Sequence, residues 1–139
     1  MTSNTNLVSN IVTDIVNSTF FDNCKIVEEF VATAKNVPLK VPTIAVSIKK
    51  CEISERLVNE DGTVSSKRDV LSSVGTDIYL PLTINGSTAF SIFDKIATLL
   101  VFSKKYNIVE ATFDNLRYDS KSQAIILPAQ FIFKHTVSA

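Results

Sequence analysis

Between Asp77 and Lys134 the hydrophobic period of the chain switches twice, and this constrains the fold more than any other feature. Ile78, Leu80, Leu82 and Ile84 alternate with Asp77, Tyr79, Pro81 and Thr83, the period-2 pattern of a strand. From Ser87 to Lys104 the apolar positions follow helical spacing: Ala89, Ile92, Phe93, Ile96, Leu99 and Leu100, widened by Phe90, Ala97 and Phe102. Two more alternating runs follow, Ile108 to Tyr118 and Gln123 to Lys134, joined by the polar turn Asp119-Ser120-Lys121-Ser122. Strand, helix and hairpin in this order specify an α+β domain. The helix is its core element, and its broad apolar arc predicts burial on more than one side. Asn85-Gly86 supplies the turn before it, Ser87 or Thr88 the cap, and Lys104 and Lys105 complement the macrodipole at its end.

The upstream half reads as material that completes the sheet and covers it. Polar Met1 to Asn6 predict a frayed start. The pairs Leu7/Val8, Ile11/Val12 and Ile15/Val16 mark an amphipathic helix ending near Asn17 or Ser18. Its β-branched content lowers intrinsic helicity, so it needs a sheet to dock on. Cys24 to Lys35 fits either a helical stripe or a half-alternating strand, and periodicity alone does not choose between them. Pro38 and Pro42 force extended backbone into a strand carrying Ile44, Val46 and Ile48 on one face. The apolar parity then shifts to Cys51 and Ile53, which predicts a β-bulge near Lys49–Lys50. Glu55 to Gly75 is the most polar internal stretch and reads as a long loop, with a turn at Asn59-Glu60-Asp61-Gly62. Pro81 cannot donate to a ladder, which predicts a sheet edge or a local bulge there. In the last strand Ile125, Leu127, Ala129, Phe131 and Phe133 form one face. The opposite face, Ala124, Ile126, Pro128, Gln130 and Ile132, is apolar enough to predict that another chain covers it.

Several function classes are disfavoured by composition. Fourteen basic and fourteen acidic residues cancel, whereas a nucleic-acid binder needs surplus cations to displace counterions from phosphates. A neutral surface does little to oppose self-association. No basic n-region precedes an apolar h-region at the start, and the most apolar helix is interrupted by Ser91, Asp94, Lys95 and Thr98. A soluble protein made in a cytoplasm is the expectation, with no membrane contact. Cys24 and Cys51 stand outside any CxxC and read as reduced thiols. His135, the single histidine, falls beyond the last predicted strand and lacks the convergent partners that a metal or catalytic site requires. Glu28-Glu29 and Glu52/Glu55 read as solvated carboxylates, and the three glycines form no phosphate cradle. The expectation is a non-enzymatic protein without metal or cofactor.

One ordered set of features goes further. The Pro-led strand Pro42-Thr43-Ile44-Ala45-Val46-Ser47-Ile48 is followed by an acidic Glu52 and a long polar segment. Then come Asp77-Ile78-Tyr79-Leu80-Pro81, a turn with Gly86, and the helix segment Phe90-Ser91-Ile92-Phe93-Asp94-Lys95-Ile96. The set closes with Leu116-Arg117-Tyr118-Asp119, Gln123-Ala124-Ile125 and an apolar strand to Phe133. In this the stretch from Pro42 to Val137 resembles small tail-terminator (tail-completion) proteins of phages and phage tail-like particles from Gram-positive bacteria. The family often carries two glycines where this chain has Asn85-Gly86.

The resemblance implies a mixed or antiparallel sheet packed against two helices in the order α-β-β-β-α-β-β, and it favours the strand over Cys24 to Lys35. It also implies a homo-oligomeric ring, typically a hexamer, that ends polymerisation of a tail tube and offers a surface to the head or collar. Its partners would be further copies of itself, the tail tube protein and, in a contractile tail, the sheath protein. Its place would be a virion or tail-like particle assembled in a bacterial cytoplasm. Under this reading Pro81, Ile126 and Ile132 supply subunit contacts. Asp61, Lys67 and Arg68 then lie on an inter-ring arm. Another neck, tube or sheath-associated component, or a small ligand-binding α+β domain, stays open as an alternative.

Overall fold

The computed structural model of the chain describes residues 4–28, 39–53, 60–64 and 66–138. Its elements run α1 (Asn4–Asn17), β1 (Lys25–Glu28), β2 (Thr43–Ile53), β3 (Lys67–Pro81), α2 (Ser87–Val101), β4 (Ile108–Phe113), β5 (Arg117–Asp119), β6 (Ala124–Leu127) and β7 (Ala129–Ser138). β1 runs parallel to β2, and every other pairing is antiparallel. The class is α+β with a mixed sheet, and merging the broken strands gives the order α-β-β-β-α-β-β.

β3 is the axis of the sheet. One side pairs with β2 from Val70 to Tyr79. The other pairs with β7 along its first half and with β6 along its second. β6 and β7 share one register against β3: Leu127 lies opposite Ile78 and Gln130 opposite Gly75. Pro128 interrupts this strand because it lacks an N–H, while its carbonyl still accepts from Asp114 N at 2.8 Å. β4 and β5 flank it in the same broken fashion. The predicted run Ile108 to Tyr118 is thus two strands, and the parity change at Leu116 marks the gap between them. In β2 the register shifts between Ile48 and Lys50, at the predicted bulge.

Both helices lie on one face of the sheet. Ile11 and Ile15 of α1, Ile96 and Leu100 of α2, and Ile44, Val46, Val74, Ile78, Leu80, Phe131 and Phe133 of the sheet make the core. Phe93 stacks on Phe131 with centroids 5.5 Å apart and meets Phe113 edge-on at 5.0 Å. α1 starts at Asn4, ahead of its apolar pattern, and closes where Ser18 Oγ donates to the Ile15 carbonyl at 2.9 Å. α2 ends at Val101, so Lys104 and Lys105 lie beyond its last turn. Ser87 and Thr88 are not its cap: the Asn85 side chain accepts from Ser87 N at 3.0 Å instead. The helix is buried on one face only, since Phe90 and Val101 stay exposed and Phe102 is 81% exposed.

Three further expectations need correction. The last nine residues of the predicted Glu55–Gly75 loop are strand, because β3 begins at Lys67. Its inward positions within that stretch, Val70, Ser72 and Val74, alternate correctly, but Ser72 carries a small hydroxyl side chain and sits among polar residues that read as loop. Pro81 is not at a sheet edge. It closes the central strand, opposite Ala124, and its carbonyl accepts from Ile84 N in the turn. His135 does not follow the last strand; β7 continues to Ser138 and holds it opposite Val70. The strand predicted over Cys24 to Lys35 is present as β1, and residues 29–35 lie outside the described residues, as do Glu29, Pro38 and Glu55.

Candidate functional site

Of the residues expected to make subunit contacts, Pro81, Ile126 and Ile132 lie on the helix-free face of the sheet. Ile126 lies between Tyr79 of β3 and Arg117 of β5 in the ladder and is only 4% exposed. Pro81 is likewise buried and Ile132 half-buried, so this face offers a second chain little apolar area. Asp61 sits in the exposed β2–β3 turn. There Thr63 donates to its Oδ1 from its hydroxyl at 2.6 Å and its backbone at 3.0 Å, holding its carboxyl below the usual range. Lys67 and Arg68 belong to β3 and pair in register with Ser138 and Val137. The loop and these two cations do not form a single arm.

The helix-free face of the sheet is polar. Lys49 lies flat across Gly75 and reaches Asp77 Oδ2 at 3.0 Å, while Asp77 Oδ1 accepts from Ala129 N at 3.3 Å. A Cβ at position 75 would fall 2.2 Å from the Lys49 side chain, so the absence of a side chain there keeps this route open. Tyr79, on the same face, has its phenol pushed up to about 12 by burial and then by the nearby Asp77 and Asp119 carboxylates. A depression of about 440 Å³ lies beside it, lined by Lys49, Asp77, Thr112, Arg117 and Gln130. Its two cations are matched by Asp77 and Asp114, so it carries no net charge to select an ion.

On the helix side, Asp14 binds α1 to the segment entering β4. It accepts from Tyr106 Oη at 2.6 Å and from Lys105 Nζ at 2.9 Å. Burial raises the Tyr106 phenol above its ordinary value, and the Asp14 hydrogen bond and charge raise it further. Cys24 and Cys51 are free thiols, and burial raises that of Cys24.

The closest approach to a nucleophile–base pair is Ser72 Oγ and His135 Nε2, 3.0 Å apart. Ser72 is 0% exposed in the middle of the sheet, so no substrate carbonyl can reach its oxygen. His135 Nδ1 is buried without a hydrogen-bond partner, so no third group orients the ring. The pair ties β3 to β7. Among the described residues no three His, Cys, Asp or Glu side chains come together as metal ligands, and no helix is long and apolar enough to cross a membrane.

Among the described residues, eight of the twelve large exposed apolar side chains gather instead at two ends of the sheet, while Ile53, Val64, Leu82 and Tyr118 are exposed elsewhere. At the β4 end are Phe90, Val101, Phe102, Val109 and Phe113, with Phe90 and Phe113 in edge contact at 5.3 Å. At the β1 end are Val16, Phe20 and Val41. Sequence reading missed this arrangement. Its signal was present in the excess breadth of the α2 stripe, which exceeds what one sheet face can cover. No family model matches the chain, and no curated protein matches it.

Proposed function

We propose that the chain is a structural protein that caps the end of a phage or phage-like tail tube as a ring of identical copies, halting tube growth. The reading rests on the ordered sequence features from Pro42 to Phe133 and on the α+β build that they share with tail-terminator proteins. The observation that carries it is the distribution of apolar surface. Large exposed apolar side chains lie at both ends of the sheet, while the depression beside Lys49 and Asp77 is charge-balanced. Surface complementarity between copies is the chemistry such a molecule performs. A contact between unlike surfaces closes into a ring when its rotation divides the circle.

The experiment is co-assembly with a phage tail tube protein. Tubes grown alone are expected to vary widely in length under the electron microscope. Adding this chain should arrest growth and place a ring at one end only. Unchanged tube lengths with no added density at either end would overturn the proposal.

A further inference from the structure

The mixed sheet has open edges among the described residues: β1 pairs only with β2 on one side, and on the other β4 pairs only with β7 and the three-residue β5 only with β6. Soluble proteins commonly blunt such edges with lysine or proline. β4, Ile108-Val109-Glu110-Ala111-Thr112-Phe113, contains neither, and its irregularity is confined to one end. Following the ladder from β1 through β2, β3 and β7, β4 runs antiparallel to β1. A second copy in the same orientation therefore presents β1 antiparallel to β4, continuing the sheet.

The side chains on these edges suit that junction. Placing Ile26, which packs on the core, beside Ala111 on the helix face sets Lys25 opposite Thr112 on the other face and diagonal to Glu110. Diagonal cross-strand neighbours about 7–8 Å apart are within reach of such long side chains. Lys25 and Glu110 are both exposed.

The helix layer ends the same way. Successive helical residues turn by about 100°, so Phe90, Ala97 and Val101 form one flank of α2. That flank is on the β4 side, because Phe90 touches Phe113. In α1, Asp14 faces Lys105 and Tyr106, towards the interior of the molecule. Val12 and Val16 fall on the opposite flank, over the β1 edge, and Val16 is 59% exposed.

We infer that copies of this chain join side by side, the β4 edge and α2 flank of one against the β1 edge and α1 flank of the next. The inference rests on the proposed self-assembly and deepens it by naming the surfaces. The contact is between unlike surfaces and runs through both layers. It leaves the polar sheet face and the β2–β3 turn free for other partners.

The test uses the full chain and two surface variants, Val16→Glu and Val101→Lys, with particle mass read by sedimentation and light scattering. The wild type is expected to form closed oligomers. Each variant should fall to the mass of one protomer while keeping the far-ultraviolet circular dichroism of the folded wild type. Mixing the two variants should restore the oligomer, because alternate junctions then set a carboxylate against an ammonium and the others are native. Wild-type mass retained in both variants would overturn the named surfaces while the ring reading stands. Loss of assembly in Val101→Lys alone, without rescue on mixing, would show a symmetric contact and overturn the inference. A wild type that stays monomeric at every concentration would remove the self-assembly reading and this inference together.

Discussion

Two polar groups, one buried and one half-buried, show how single residues set this fold's stability. The hydroxyl of Thr76 is buried on the helix face of β3 with no hydrogen-bond partner. A desolvated, unpaired hydroxyl costs free energy that the same shape without the oxygen avoids. Thr76→Val keeps the branched shape and is expected to raise stability by about 1 kcal/mol, read as a higher denaturant midpoint at unchanged slope. Tyr106 behaves in the opposite sense, because its phenol donates to the charged Asp14 carboxylate at 2.6 Å. Tyr106→Phe should cost about 1–2 kcal/mol near neutral pH. The pH dependence follows from the sign of the shift. The folded state holds the phenol protonated beyond its ordinary range. Its contribution is therefore fully present below about pH 10 and is lost as pH rises through the folded value. Wild type should lose stability above that point more steeply than Tyr106→Phe, which has no phenol to ionise there. Tyr79, raised in the same direction, keeps part of the slope in both proteins. Parallel alkaline profiles for the two would refute this account.

At the scale of elements, what is legible in the sequence follows from how each pattern is written. The bulge in β2 is readable because an extra residue moves every later apolar side chain to the other face, and Cys51 and Ile53 record the move. α2 is readable because Ala89, Ile92, Phe93, Ile96 and Leu100 are all apolar and all buried. The first half of β3 is hidden because sheet interiors accept small hydroxyl residues. Ser72 and Thr76 occupy inward positions that periodicity expects to be apolar. The hidden half of β3 and the end of β7 are partners, Lys67 to Ser72 lying opposite Phe133 to Ser138. Reading one as loop therefore left His135 beyond the sheet. Of the candidate contact residues, Ile126 and Ile132 are correctly read as facing away from the helices. Sequence does not reveal that their own sheet neighbours already cover Ile126. The α2 assignment makes a quantitative prediction. Phe93 is 8% exposed between the rings of Phe113 and Phe131, so Phe93→Ala should cost about 3–5 kcal/mol, measured by chemical denaturation. A cost below about 1 kcal/mol, the scale of a surface change, would be incompatible with that packing.

The whole molecule combines near-zero net charge with apolar ends and a polar sheet face, and this combination sets how the proposed assembly should respond to solvent. Acidic and basic groups balance, with a pI near 6.6, so copies approach one another without net repulsion around neutral pH. The residues facing outward at the two ends are chiefly Val16, Phe20, Phe90, Val101, Phe102 and Val109, with Lys25 and Glu110 as the charged pair that the proposed junction would set between opposing edges. Salt screens an exposed pair of this kind, which contributes at most about 1 kcal/mol. It leaves apolar burial largely untouched, and sulfate strengthens such burial. Self-association is therefore expected to weaken only slightly as sodium chloride is raised and to strengthen in sodium sulfate of equal ionic strength. Moving the pH well away from 6.6 in either direction should weaken it, because every copy then carries charge of one sign. Sedimentation across the two salts and a pH series measures all three trends. Dissociation by sodium chloride alone would mean that charged groups hold the copies together. That result would shift the contact from the apolar ends to the polar sheet face around Lys49, Asp77 and Arg117.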